Sequence, residues 1–526
     1  MSRNPESPRL KPFDMASARR SIFQSVVDAR REFGGGTVAL IDGDDRALSY
    51  DDIIRASFAL GSALKAGTRA DECVGVMLPT GAAGTLAFLA LSAFGRIPTM
   101  LNFTCGVAGL KSALRTAQVK RIVTARRLIE VAGLQELIAG LSDTQIVYLE
   151  DVRKNLSLAD KLTAVAGKAL PALLAARPDP KKTAVILFTS GTEGEPKGVA
   201  LSHENILSNV AQVLSHVAVL PNDVMFNPLP IFHCFGLTGG TILPLIAGIK
   251  VISHPSPLQP KEIVRRVGQF RATILLSTDT FINQYVRASD GDELTSLRMA
   301  VCGAERLRDE TRAFVRRKCG ITLLEGYGVT ETSPVVAVNQ IETNRPGTVG
   351  QLMPGMEARL EPVEGIPGAG RLFLRGPNIM LGYIKPDAPG KIVPPEGGWH
   401  DTGDVVTIDE QRFIAIRGRL KRFAKIGGET VSLAVVENIA AALWPDNAHA
   451  AVAIPDGRKG ELIVLVTDAK GADRMELLTW AQNHGASELA VPRRVLYAPS
   501  IPLLATGKTD YVSVGKMAQT EAKPES

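Results

Sequence analysis

The chain has 526 residues, several times the length that one hydrophobic core needs, so at least two domains are expected. Hydrophobic residues make up 45% and charged residues 22%, which excludes general disorder, while 5% aromatics leave the core to Ala, Leu, Val and Ile. A formal charge of +6 is too mild to indicate nucleic acid as a partner, though it suits an acidic partner, an anionic substrate or peripheral contact with a membrane.

Residues 1–12 and 514–526 are expected to be loose tails, and residues 1–20 lack the apolar run of a signal peptide. Cys73, Cys105, Cys234, Cys302 and Cys319 are scattered without a Cys-x-x-Cys spacing. That argues against a disulfide framework or a zinc site and for a reducing cytoplasm, with or without association with the inner membrane. Residues 73–95 and 224–249 are uncharged, but their prolines and glycines favour buried strand–turn–helix units over membrane spans. No amphipathic anchor stands out.

Apolar runs of strand length at 185–188, 250–253, 273–276 and 299–301 alternate with helical patterns, which predicts an α/β fold with buried sheets. From about residue 347, short alternating segments such as 371–375 predict a smaller β-rich subdomain. Residues 412–425 hold six basic residues and no acidic one, a solvated face or a docking surface for an acidic partner. Beyond it, a helix at 433–443 and strands near 450–454 and 462–467 predict a small α+β domain. The expected division is a large domain over 1–419 and a small mobile one over 420–526.

The strongest local motif is LFTSGTEGEPKG at 187–198. A buried strand delivers the chain into Thr189, Ser190, Gly191, Thr192 and Gly194, followed by Lys197. Glycines let a backbone approach phosphate oxygens, the hydroxyls donate hydrogen bonds and the lysine adds positive charge. The spacing is not that of a Walker A loop: the Gly507–Lys508–Thr509 run has Pro502 where the first glycine belongs.

This motif resembles the phosphate loop of the adenylate-forming superfamily, and six others follow in the family's order. They are PLPIFHCFGL (228–237), GAERL (303–307), GYGVTET (326–332), DTGD (401–404), GRLKRFAKIGGETV (418–431) and LLATGKTDY (503–511). The resemblance spans nearly the whole chain and implies an ATP- and Mg²⁺-dependent ligase. Such an enzyme activates a carboxylic acid as its acyl-AMP and passes it to a thiol.

Residue by residue, the resemblance implies that Tyr327, Gly328, Gly303, Ala304 and Glu305 line the adenine pocket. Thr330 would contact the α-phosphate and Glu331 would hold Mg²⁺. Asp404 and Arg419 would hold the ribose; taken alone, both read as surface charges. Lys508 would bridge the carboxylate and the α-phosphate in the first step, a charge-neutralising role in which one group is commonly worth about 10²–10³ in rate. Lys421 falls at the hinge, Lys425, Gly427 and Gly428 face the thiol tunnel, and His233 matches a gate beside the acyl pocket.

Several stretches are similar to the acyl-ACP synthetase branch, whose bacterial members fuse the synthetase to a 2-acylglycerophosphoethanolamine acyltransferase. These are LNFT (101–104), LEGYGVTE (324–331), GPNIMLGY (376–383), the 418–433 stretch and ELAVPR (488–493). The resemblance implies a fatty acid substrate and acyl carrier protein as acceptor, with CoA as the alternative. The acyltransferase's His-x4-Asp motif is absent from this chain. Glu193 departs from the Thr, Ser or Gly usual at that place in the phosphate loop, a departure that the acyl-ACP synthetase branch resembles and that puts one hydroxyl–phosphate contact in question.

Overall fold

The structure is a computed structural model that describes residues 10, 12–190, 196–363, 366–426, 429–456, 460–484, 487–503 and 509–521. By its internal contacts the chain divides into two compact units. One comprises Met1–Glu357 and Arg375–His400, the other Ala358–Leu374 and Asp401–Ser526. The boundary expected after residue 419 lies inside the second unit.

The first unit is built on two sheets. In one, Lys250–Ser253, Val224–Asn227, Ile274–Ser277, Met299–Cys302 and Thr322–Gly328 run parallel. Val335–Val338 then closes antiparallel on Thr322–Gly328. The parallel strands are apolar and almost wholly buried, the pattern that a sheet covered on both faces imposes. In the other sheet, Arg121–Thr124, Cys73–Val76, Ile97–Met100 and Thr183–Ser190 run parallel, and Thr183–Ser190 pairs antiparallel with Pro196–Ser202. Gly382–Ile384 adds to the outer side of Pro196–Ser202.

The two uncharged stretches fold as strand–turn–helix units. Cys73–Val76 leads to the helix Ala82–Ala93, and Val224–Asn227 leads to the π-helix Phe235–Ile242 and the helix Leu243–Ala247. Among the described residues, no helix is long and apolar enough to cross a membrane.

The second unit holds most of a four-stranded sheet ordered Glu357–Pro362, Gly370–Arg375, His400–Ile408, Ile414–Arg419. It also holds a five-stranded sheet in which His449–Asp456 and Gly460–Thr467 pair over their full length. One core beside that sheet gathers Ala424, Val436, Ile439, Leu465 and Leu477, and another gathers Val452, Val464, Val514 and Ala518. The latter corrects the loose tail expected from residue 514. Tyr511–Glu521 is a helix whose Val514 and Ala518 are fully buried. Its anchors are few and small, so they leave little mark in the sequence.

Candidate active site

The hairpin Thr183–Ser190/Pro196–Ser202 brings Thr189 opposite Lys197 in register. Lys197 stands with Nζ 5.8 Å from the centre of the Tyr383 ring, close enough for a cation–π attraction. Gly191, Thr192, Glu193 and Gly194 lie outside the described residues, and so does the side chain of Ser190.

Tyr383 links this hairpin to the second motif. Its hydroxyl donates to Glu331 Oε1 at 2.6 Å. Glu331 and Thr330 each keep 9% of their surface exposed, on the 3-10 turn Thr330–Thr332. Gly328 just before the turn is obligatory, because a Cβ there would come within 2.2 Å of the Pro334 carbonyl oxygen. Tyr327 is buried and pairs with Ala337 on the neighbouring strand.

The turn is fixed from behind by buried amides. Asn378 Nδ2 donates to the Thr332 carbonyl at 2.7 Å, and the Ser333 hydroxyl donates to the Asn378 carbonyl at 2.9 Å. Gln212 Nε2 donates to Asn378 Oδ1 and to the Pro354 carbonyl. Asn209 donates to the Val335 carbonyl and accepts from the Val335 N–H. Asn209 and Gln212 are one turn apart on the helix His203–His216, which Ser202 and Asn205 start with a capping box. None of these three amides is exposed. A buried amide must find partners, so the network holds the turn in one place.

The FHCFG segment converges on the same turn. Cys234 Sγ lies 3.4 Å from Thr330 Oγ1, in position to donate to it. His233 is half-buried just before the π-helix Phe235–Ile242, its ring centroid 6.0 Å from that of Phe232. In that helix the Gly236 carbonyl accepts from both Asn227 Nδ2 and the Thr241 hydroxyl, which satisfies the widened turn.

Gly303 leaves the strand Met299–Cys302 beside Phe235, where a Cβ would meet the ring at 3.2 Å. Ala304 follows with φ of 68°, a strained value for a residue with a side chain. The Glu305 carboxylate is engaged by a neighbouring helix: its Oε2 accepts from the Thr280 N–H at 3.1 Å and the Thr280 hydroxyl at 2.9 Å. That is the first turn of the helix Asp279–Ala288, where a carboxylate is favoured. Burial raises the Glu305 pKa against these two donors, which lower it.

In the second unit, strand register sets Asp404 opposite Arg419, and Arg419 Nε donates to Asp404 Oδ1 at 2.9 Å. Asp404 is 3% exposed while the Arg419 side chain is 63% exposed, so the pair presents its guanidinium to solvent. Asp401 of the same motif is paired with Arg371.

Lys421 lies on the 3-10 turn Leu420–Arg422, and its side chain is outside the described residues, as are Gly427, Gly428 and Lys508. Lys425 is exposed on the strand Phe423–Ile426. The basic stretch is not uniformly solvated. Arg422 turns inward, donates to Glu437 at 2.8 Å and lies 3.5 Å from the Tyr511 ring centre, while the Tyr511 hydroxyl donates to Glu437 at 3.1 Å. Burial foremost, then Glu437, pushes the Tyr511 phenol up to about 12.

Tyr383, Asn378, Asn209 and Gln212 carry no role in the sequence reading. The first two fall within GPNIMLGY, where position in a motif is a signal. The helix amides leave none, because a polar residue on a helix reads as solvent-facing.

The model of the AMP-binding enzyme family matches residues 27–384. A feruloyl-CoA synthase of Amycolatopsis sp is 30% identical over 480 residues, covering 88% of this chain and 92% of its own. A long-chain-fatty-acid–CoA ligase of Salmonella typhimurium is 29% identical over 338 residues, 62% of this chain and 60% of its own. ATP-bound MatB from Rhodopseudomonas palustris has the same fold, with a TM-score of 0.81 at 23% identity over 96% of this chain and 100% of that one.

Proposed function

The chain belongs to the AMP-binding enzyme family and is an AMP-forming acid–thiol ligase, and from that premise we propose that it joins a fatty acid to CoA through an acyl-AMP. The observation that carries the CoA acceptor is the likeness to CoA ligases, which for the feruloyl-CoA synthase extends over 88% of the chain. It outweighs the acyl carrier protein implied by the resemblance of individual stretches.

In the first step, a carboxylate oxygen attacks the α-phosphorus of ATP and pyrophosphate leaves. Thr189, Ser190, Gly191, Thr192, Gly194 and Lys197 cradle the phosphates in this reading. Tyr327, Gly328, Gly303 and Ala304 bound the base, with Glu305 contributing backbone because its carboxylate is engaged by Thr280. Asp404 and Arg419 hold the ribose, and Thr330 meets the α-phosphate. Lys508 neutralises the meeting of two anions.

Among the described residues, no group of three His, Cys, Asp or Glu could hold a metal by itself. Glu331, a single carboxylate held by Tyr383, would be the chain's own ligand to Mg²⁺, a hard cation that prefers oxygen donors. Mg²⁺ bound there would neutralise phosphate charge. Tyr383 then orients the carboxylate through its hydrogen bond.

In the second step the thiol sulfur attacks the acyl carbonyl and AMP leaves. Residues 420–526 turn about Lys421, withdrawing Lys508 and bringing Lys425, Gly427 and Gly428 to the thiol, while His233 gates the acyl pocket. The acyl-ACP reading keeps one supporting observation, the exposed cations Arg417, Arg419 and Lys425 on a stretch without acids.

The test is pyrophosphate release and thioester formation with a panel of fatty and aryl acids, offering CoA and holo-acyl carrier protein in parallel. Thioester on CoA with fatty acids is the expected result. Thioester on the carrier protein alone would transfer the assignment to the acyl-ACP synthetase branch, and turnover of aryl acids alone would overturn the fatty acid. Lys508→Ala should lower pyrophosphate release about 10²–10³-fold.

A further inference from the structure

The helix Leu158–Ala169 packs its small residues inward and its large apolar ones outward. Ala164 and Gly167 are its buried positions, and a Cβ on Gly167 would meet Phe58 of the helix Tyr50–Leu64 at 2.2 Å. Leu158, Leu162 and Val165 face away, and Leu170, Leu173 and Leu174 continue the patch through the turn Pro171–Leu174. These six side chains are between 44% and 73% exposed. On a helix of 3.6 residues per turn, Leu158, Leu162, Val165 and Ala169 fall within one strip roughly 60° wide. Scattered single leucines are ordinary on a surface, but a contiguous strip marks something that covers it.

Basic residues outnumber acidic ones along the stretch of chain that carries the strip. Residues 149–182 contain seven basic residues against four acids, Glu150, Asp151, Asp160 and Asp179, of which Asp151 is paired with Arg126. Asp160 accepts from the Ser157 N–H and hydroxyl and so caps its own helix. Lys168 reaches Asp51 at 3.0 Å, while Arg153, Lys154, Lys161 and Arg177 are exposed.

We propose that this face is a docking surface for a bilayer containing anionic phospholipid. The leucines sink to the level of the headgroups, and the long cationic side chains reach the phosphates. A second copy of the chain is the poorer occupant, because a two-fold contact would set the four exposed cations against the same four. The helix lies on the membrane and does not cross it: twelve residues span about 18 Å, well short of a hydrocarbon core. The proposal requires nothing about the acid or the acceptor thiol.

The experiment is co-sedimentation of the full chain with vesicles of phosphatidylcholine alone and with about 30% phosphatidylglycerol, at low and high salt. Binding is expected to the anionic vesicles, to weaken with salt, and to fall about tenfold in the Leu162→Gln/Leu173→Gln variant. Both positions are exposed, so the thermal transition should not move. Lys161→Gln/Arg177→Gln should weaken binding to the anionic vesicles as well. Failure of the unaltered chain to bind, or binding by both variants as strong as that of the unaltered chain, would overturn the proposal. So would a concentration-dependent dimer that the leucine variant dissociates without any lipid binding.

Discussion

Glu331 and Asp404 are both acids that keep under a tenth of their surface exposed, yet their surroundings differ. Glu331 sits on a short turn held by side chains distant in sequence: Asn209 and Gln212 on one helix, Asn378 and Tyr383 beyond residue 375. Asp404 sits within a strand, and backbone pairing puts it opposite Arg419 whatever the side chains are. A turn assembled from side-chain amides stays in place only while each partner stays, whereas a strand residue is placed by its ladder. Remote substitutions should therefore reach Glu331, and only local ones should reach Asp404.

The largest effect tests the turn directly. Glu331→Gln keeps an oxygen for Tyr383 but removes the charge, and adenylation should fall about 10²–10³-fold in pyrophosphate exchange with the unfolding midpoint unchanged. Next comes Asn378→Leu, which touches none of the residues assigned to nucleotide. It strips the Thr332 carbonyl and Gln212 of partners and should cost about 1–3 kcal/mol in urea unfolding. Adenylation should fall with it.

Acid should act on the same network. His203 opens the helix that carries Asn209 and Gln212, its Nδ1 accepts from the Ile22 N–H, and burial holds its pKa down to about 4. Between pH 6.5 and about 4 the unfolded chain binds a proton that the folded chain refuses. Stability should then drop as pH falls, by at most about 1.4 kcal/mol per unit. His203→Gln should flatten that slope in unfolding measured at pH 7 and pH 5.

Tyr383→Phe removes one hydrogen bond to Glu331 and should slow adenylation roughly fivefold, about 1 kcal/mol. The smallest change in stability belongs to Arg419→Ala, under about 0.5 kcal/mol because the guanidinium is largely solvated. Its expected signature is a raised KM for ATP. Equal unfolding shifts for Arg419→Ala and Asn378→Leu would break the contrast between turn and strand.

The parallel strands were legible because a doubly covered strand must be apolar through its middle, as residues 251–252 and 274–276 are. The helix Leu433–Leu443 falls where its periodicity predicts. What escaped the sequence is what only packing decides. Arg422 reads as one more solvated cation until Glu437 and Tyr511 are found beside it. Nothing in the sequence marks which face of Leu158–Ala169 is covered, and its buried positions are Ala164 and Gly167. Glu305 reads as a pocket acid by position, but the first turn of a neighbouring helix engages its carboxylate.

The helix Tyr511–Glu521 also bears on how the chain is made. Synthesis runs from the amino terminus, so the strands Glu357–Pro362 and Gly370–Arg375 emerge before His400–Ile408 and Ile414–Arg419, which complete their sheet. The strand His449–Asp456 leaves the ribosome long before Val514 and Ala518 can cover Val452 and Ile454. The cover over this sheet face therefore arrives with residues 514–518, and a nascent chain paused short of residue 514 carries an apolar sheet face open to chaperones and to other chains.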